Sequence, residues 1–368
     1  MSIPQPRHIL IVRLTAIGDV VHAMPVACAL REAFPQVKIS WLVEGRSGAL
    51  LEGHAAVDEI ITAPRHWMRS RAGRRKLKEI LGTKKIDVTI DLQGLTKSAL
   101  AAKYTGAKHR IGFGGNIFID WGRWFRSSLL HRIIGRELSR WINNVKVNVR
   151  SSHIVDANLE TLRPLGIESP LVRFDLPRYE EDAAKMALLI EALSLSAGFA
   201  MISPGAGKAP KLWSSARFAA VAKHLGEKHA LPTLVVWAGD KEEAWAKEIE
   251  AGSGGHAKAA PPTSLRELAE LARRAKLFIA GDTGPMHIAA ALGTPCVALF
   301  GVIPASRNGP YGPQHIVIQK ALQRGLSVQR HHASNKEMML ITPEDVAKAC
   351  DEILGRDLDA ARSESLRK

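Results

Sequence analysis

Cysteine is scarce in this chain. Cys28, Cys296 and Cys350 are the only three in 368 residues. Odd in number, widely separated and set in apolar or helical stretches, they fit neither a disulfide framework nor a thiolate metal site. A reducing compartment is the expectation. Long apolar runs are missing as well. The first, from Ile9 towards Leu14, is too short for a signal-peptide core, and nothing approaches the roughly 20 apolar residues of a bilayer span. A cytoplasmic protein is expected, with any membrane contact peripheral. No period of about 20 to 50 residues emerges, which argues against solenoids and propellers. The first strand-to-helix turn contains Gly18 and no G-x-G-x-x-G, so a dinucleotide pyrophosphate could not approach that backbone as nicotinamide enzymes require.

What is present is an ordinary globular composition, 46% hydrophobic and 24% charged, in a chain too long for one core. Two domains are expected. The charge is uneven: residues 1–178 carry 28 Lys+Arg against 15 Asp+Glu, and the remainder 23 against 21. A one-sided excess points to an anionic partner for the first half, whether nucleic acid, an anionic membrane surface or a phosphorylated substrate.

Apolar, β-rich runs alternate with helical patterns: HILIVRL from His8, KISWLVE from Lys38, EIITA from Glu59, DVTIDLQ from Asp87 and HRIGF from His109. Val20 to Phe34 reads as one helix with Asp19 at its start and Pro35 past its end. After a polar stretch around residues 175–184 the rhythm restarts with GFAMISPGA, PTLVVWAGD, KLFIAGDTG, PCVALFG and HIVIQ. Helices are expected near Ala216–Lys228, Ser264–Ala275 and Pro343–Leu354, the last capped by Thr342. The tail beyond Arg356 reads as frayed, and WMRSRAGRRKLK from Trp67 and AGSGGHA from Ala251 as irregular connections. The class is α/β, with two doubly wound parallel-sheet domains over residues 1–178 and 179–368.

Ligands of open parallel sheets bind beyond the carboxyl ends of the strands, so the turns there carry the functional signal. In LTAIGDV, Asp19 is either an N-cap for the orphan amides or a carboxylate facing the crevice, ready to take a proton from a hydroxyl; both can hold at once. In SPGAGKAPKLW, Gly205 and Gly207 permit close backbone approach, and Lys208 and Lys211 supply positive charge for a diphosphate. A plain surface loop with two lysines is the alternative, and the P-loop spacing fails. GDTGPMHIAAALGTP is the most specific signal. A strand ends in Gly-Asp-Thr-Gly and Pro285 enters the first turn of an Ala-rich helix, whose free amides form an anion site.

The strings ILIVRLTAIGDVVHAMP, DLQGLTKSA, the Lys-x-Trp of KLWS and GDTGPMHIAAALGTPCVALFG resemble the motifs of glycosyltransferase family nine, the lipopolysaccharide heptosyltransferases. Matching segments run from about Ile9 to Leu354. DLQGL-x-KSA and the basic run after the third strand are most similar to the type that adds the first heptose to the Kdo region of lipid A.

The resemblance implies the GT-B fold, an acceptor-binding N-terminal domain and a donor-binding C-terminal domain, with inverting transfer and neither metal nor cofactor. It makes Asp19 the catalytic base. Lys211, Asp282, Thr283, Gly284 and His287 match contacts to the diphosphate and sugar of an ADP-heptose donor, and Glu242 a ribose-binding carboxylate. Arg13, Gln93 and Lys97 fall to the acceptor, an anionic Kdo and lipid A glycolipid at the cytoplasmic face of the inner membrane. The charge excess adds Arg65, Arg69, Arg71, Arg74 and Arg75 to that side. The chain departs from the pattern at Ser214, where a Pro commonly follows Lys-x-Trp, and at VIPASRNGPYG. It also lacks the cysteine-rich loop before ITPEDV. Another nucleotide sugar or glycan acceptor is the alternative within the family.

A polyanion-binding protein is the rival from another class, with the basic run contacting phosphates and Trp67 stacking on bases. No nucleic-acid motif accompanies the run, and WGRWF from Trp121 adds aromatics suited to a lipid interface, so nucleic acid is not the expected partner. The neighbouring His331 and His332 lack a third ligand and do not make a metal site.

Overall fold

The first apolar run, His8–Val12, is buried along its whole length. A strand buried on both faces has no polar side to present, which is why it reads as a continuous apolar string and not as an alternation. It is the inner strand β1 of a sheet with β2 (Lys38–Val43), β3 (Glu59–Thr62), β4 (Val88–Asp91), β5 (His109–Phe113) and β6 (Val145–Val147), ordered β3-β2-β1-β4-β5-β6. This computed structural model describes residues 3–114, 138–321 and 334–365, with side chains as far as Arg356.

The described residues form two compact units that part between Pro177 and Arg178. The second contains β7 (Ala200–Ser203), β8 (Thr233–Val235), β9 (Ala257–Ala259), β10 (Leu277–Gly281), β11 (Cys296–Leu299) and β12 (Ile316–Ile318), ordered β12-β11-β10-β7-β8-β9. Every pairing in both sheets is parallel. In each unit the chain therefore starts in the middle, winds outward to one edge, then returns to wind towards the other. The switch points lie between β1 and β4 and between β7 and β10, where a doubly wound sheet leaves its crevice.

Core side chains hold each sheet to its helices. Ile202, Phe218, Val221, Leu225, Val235, Ile249, Ile279 and Leu299 belong to one cluster of the second unit; Leu10, Val12, Leu42, Trp67, Leu77 and Leu81 belong to one of the first. Full burial of one such side chain stabilises by about 1.5–3 kcal/mol.

Several elements differ from the sequence reading. The expected Val20–Phe34 helix is two, Ile17–Val21 and Met24–Ala33, with Ala23 as the second N-cap. Pro25 has no N–H to continue the ladder and is tolerated only in a first turn, so the helix restarts around it. Asp19 is consequently not an N-cap: it is the third residue of the first short helix. The basic run is not an irregular connection, because Trp67–Arg69 forms a 3-10 turn and Arg71–Gly82 an α-helix capped by Ser70, whose Oγ accepts the Gly73 N–H at 3.0 Å. Leu77 and Leu81, one turn apart, are its buried stripe. The last helix does not fray at Arg356 but runs Pro343–Ser365. The short strands β6 and β9 went unanticipated.

Candidate active site

At the switch point of the first unit, Arg13 follows β1 directly and is 3% exposed. Its Nη2 lies 2.6 Å from Asp19 Oδ1, and its Nη1 donates to the Leu92 carbonyl just past β4. Asp19 Oδ2 accepts the Ala16 N–H at 3.0 Å. Each carboxylate oxygen thus has one donor and keeps a second lone pair, while the side chain stays 40% exposed. The carboxylate is held in a fixed orientation and remains open to a hydroxyl. Gln93 Oε1 accepts the N–H groups of Leu14 and Thr15 at 3.0 and 3.3 Å, fastening the turn that leads to Asp19. Asp91, fully buried at the end of β4, accepts the Gln93 and Gly94 amides and the Asn143 amide, and its burial raises its carboxyl above the ordinary range.

Lys97 belongs to the same edge of the sheet but is already paired. Its Nζ lies 2.5 Å from Glu44 Oε1, and the same carboxylate accepts Trp67 Nε1 at 2.6 Å. The stacking role considered for Trp67 fails, because the ring is completely buried and its N–H is engaged. Neither Glu44 nor Asp91 stood out in the sequence. Asp91 had a signal, an Asp immediately before a turn containing Gly; Glu44 had none, since its partners come from residues 67 and 97.

In the second unit, Asp282 and Thr283 follow β10, the Gly284–Ala291 helix begins there, and Thr283 is its N-cap. Pro285 sits in the first turn as expected. The Gly284 and Met286 amides are first-turn groups with no carbonyl one turn earlier to bond, and the helix dipole adds positive potential beside them. Thr283 Oγ1 is buried without a hydrogen-bond partner among the described residues. Lys211 Nζ lies 2.5 Å from Asp282 Oδ2, and His287 Nε2 lies 3.3 Å from Oδ1. Burial acts to raise the Asp282 carboxyl, but the Lys211 ammonium and then His287 outweigh it and hold the group far below the carboxylate range. Asp282 is ionised.

The reach of Lys211 depends on backbone fit. A Cβ on Gly281 would stand 3.0 Å from the Lys211 carbonyl, so glycine lets the Lys-x-Trp loop lie against the end of β10. Trp213 locks that loop: it is buried, and its Nε1 donates to the Ile341 carbonyl at 3.0 Å. Ser214, where relatives commonly carry Pro, is the N-cap of the Ser215–His229 helix and accepts the Arg217 N–H. Glu242, near the start of the Asp240–Gly252 helix, presses its carboxyl onto Gly205, where any Cβ would collide with it. Burial raises this carboxyl, opposed only by the Ala238 N–H at 3.0 Å. The SPGAGK turn, Glu242, Lys211 and the GDTG turn all belong to this one unit.

The basic residues separate into two kinds. Arg74 Nη1 donates to the Met68 carbonyl at 2.7 Å, and Arg75 pairs with Glu79 at 2.8 Å. Arg65, Arg69 and Arg71 are exposed and have no partner among the described residues. Trp121 and Trp124 of WGRWF, and the pair His331 and His332, lie outside the described residues. No helix among the described residues is long and apolar enough to cross a membrane.

Known proteins are similar to this chain in sequence and in fold. "Lipopolysaccharide heptosyltransferase 1" of Escherichia coli O18:K1:H7 is 27% identical over 325 residues, 84% of this chain and 90% of the relative. The protein of the same name from Campylobacter coli is 25% identical over 94% of this chain and 99% of its own length. Among solved structures, a family 9 glycosyl transferase from Veillonella parvula superposes with a TM-score of 0.79 at 21% identity, covering 97% of this chain and all of that one. The E. coli heptosyltransferase WaaC with ADP gives 0.71 at 24% identity, covering 94% and 99%. The fold, two parallel six-stranded sheets with their helices, is of the GT-B class. The family model of glycosyltransferase family 9 (heptosyltransferase) matches residues 74–338, well over half of the chain and including the Lys-x-Trp loop, Glu242 and the GDTG turn. The chain belongs to that family, and it is a glycosyltransferase.

Proposed function

We propose that this enzyme transfers a heptose from ADP-heptose to the Kdo region of the lipopolysaccharide inner core, with inversion and without a metal ion. The observation that carries the donor half is the Lys211–Asp282–His287 cluster at the start of the Gly284–Ala291 helix. Lys211 has three N–H donors and donates two of them to Asp282, to its carboxylate and, at 3.3 Å, to its carbonyl; the remaining donor serves a phosphate oxygen. The Gly284 and Met286 amides and the unpartnered Thr283 hydroxyl add neutral donors. Together they stabilise the charge that develops on a departing diphosphate, the task a divalent ion performs in other transferases. Glu242 takes the ribose hydroxyls beside Gly205.

On the acceptor side, Asp19 removes the proton of the acceptor hydroxyl as its oxygen attacks the anomeric carbon. The new C–O bond forms on the face opposite the diphosphate, and the bond to the phosphate oxygen breaks with its electron pair leaving on ADP. Arg13 positions Asp19, and Gln93 positions the turn that carries it. Arg65, Arg69 and Arg71, exposed and without a partner among the described residues, supply most of the positive field for an anionic glycolipid, while Lys97, Arg74 and Arg75, engaged by Glu44, the Met68 carbonyl and Glu79, add less to it. Trp141, 72% exposed, has Arg140 and Lys146 within 5.6 and 5.8 Å of its ring, a combination suited to a headgroup layer and supporting peripheral membrane contact from the cytoplasm. Incubating the enzyme with ADP-heptose and a Kdo-lipid A acceptor, then weighing the product, tests the reading. A product heavier by one heptose supports it; turnover only with another nucleotide sugar or glycan would replace the substrate assignment.

A further inference from the structure

The second unit contains a cluster that the transfer reaction does not use. His224 and His229 lie on the Ser215–His229 helix, and Asp351 on the Pro343–Ser365 helix packed against it. His224 Nε2 and His229 Nε2 approach the same oxygen, Asp351 Oδ1, at 2.8 and 2.6 Å, and Lys228 Nζ lies 2.7 Å from Oδ2. The three side chains are 30%, 21% and 27% exposed, so the cluster is sheltered yet within reach of solvent.

A carboxylate near a helix C-terminus needs one cation, and Lys228 already provides it. Two further imidazoles converging by their Nε2 atoms on one oxygen exceed what pairing requires. The three ligand atoms all lie within 4.8 Å of one another. Nitrogen and oxygen ligands at about 2.0–2.1 Å from a tetrahedral ion stand roughly 3.3 Å apart, so small side-chain rotations bring this set to bonding separation. Two imidazoles and a carboxylate are the donor set that favours zinc and its borderline neighbours over magnesium or calcium.

We propose that His224, His229 and Asp351 form a binding site for a divalent transition-metal ion of the zinc class, joining the Ser215–His229 helix to the last helix of the chain. The ion takes the place of the Nε2 protons between the rings and Asp351 Oδ1: a ring that starts as imidazolium releases one proton to solvent, a ring that starts neutral carries its proton on Nδ1 instead, and water completes the coordination. Lys228 holds Oδ2 and turns Oδ1 towards the rings, while its charge opposes the ion. His224 and His229 lie about 14 and 21 Å along the Ser215–His229 helix from its first residue, at 1.5 Å per residue, and Lys211 precedes that start. Its role is therefore to fasten two helices and not to take part in transfer.

The test uses full-length, untagged protein stripped with EDTA. Zn²⁺ is expected to raise the melting temperature by several degrees, and Co²⁺ to develop the visible absorption of a tetrahedral nitrogen and oxygen site. His224→Gln with His229→Gln should abolish both effects. Asp351→Asn, which keeps the side-chain shape, should weaken Zn²⁺ at least tenfold by calorimetry, and Lys228→Gln should tighten it. ADP affinity should not change in any of them. Wild-type protein that neither shifts its melting temperature nor develops the Co²⁺ band would overturn the proposal. So would equal Zn²⁺ affinity in wild type and in Asp351→Asn, which is read even where the double histidine variant does not fold.

Discussion

Arg13 Nη2 lies 2.6 Å from Asp19 Oδ1, and Arg13 is almost completely buried while Asp19 is 40% exposed. The asymmetry sets the roles. Arg13 cannot contact a substrate without leaving its pocket, whereas Asp19 presents the face of its carboxylate that Arg13 does not use. The resemblance to the heptosyltransferases placed Arg13 with the acceptor; its contacts to Asp19 and the Leu92 carbonyl support the proposed role of positioning Asp19. Arg13→Lys keeps the charge but cannot span both Asp19 and the Leu92 carbonyl, because a lysine is a single point and not a fork. A drop of about tenfold or more in kcat, with donor KM little changed, is expected from steady-state kinetics.

Removing Lys211 should act on binding and stability together. A charge-assisted contact to phosphate contributes about 1.5–3 kcal/mol, one to two decades in ADP affinity. Lys211→Met also strands the buried, ionised Asp282, at a cost of about 3–5 kcal/mol. Lys211→Met combined with Asp282→Asn should recover much of the melting temperature without recovering ADP binding. Calorimetry and thermal melts on the two variants separate these effects.

Glu242 offers a trade between stability and binding. Its folded carboxyl is raised by burial, so its contribution to stability is most favourable below the ordinary carboxylate range and is lost as pH rises through the folded value. At neutral pH the ionised group therefore costs stability, and Glu242→Gln should melt higher than wild type. The gain should disappear below about pH 4, where the carboxyl is protonated in both folded and unfolded chains. ADP affinity should fall at the same time if the carboxylate holds the ribose.

Neutralising Arg65, Arg69 and Arg71 together should raise the acceptor KM and flatten its dependence on salt, with donor KM and melting temperature nearly unchanged. Arg74→Ala should behave differently. Its guanidinium supports the Met68 carbonyl at the turn before the Arg71–Gly82 helix, so a loss of stability of about 1.5–3 kcal/mol accompanies any change in kinetics.

The inner strands of both sheets were legible in the sequence because strands covered on two faces are mostly apolar, as HILIV, KISWLV and LFIAG are apart from His8, Lys38 and Ser40. The GDTG helix start was legible because Pro285 fits only a first turn. Three-residue strands such as Val145–Val147 carry too little pattern to register. The Arg71–Gly82 helix was hidden by its charge, since Leu77 and Leu81 are its whole buried stripe. Asp19, Arg13 and Lys97 stand out as single residues, but the pairs Arg13–Asp19 and Lys97–Glu44 are made only by folding. The capping role of Asp19 was half visible. Its carboxylate does take an orphan amide, that of Ala16, but from inside the helix.

The proposed role of Asp19 as the base of heptosyl transfer is tested most directly by kcat for Asp19→Asn, with ADP affinity and melting temperature recorded on the same protein. Asn keeps an oxygen for the Ala16 N–H but leaves the Arg13 charge without its partner, so some loss of stability is expected, up to about 3–5 kcal/mol. For folded variant that still binds ADP normally, kcat should fall by about 10² to 10⁴. Turnover within a few-fold of wild type under those conditions would exclude Asp19 as the base and leave it a structural partner of Arg13.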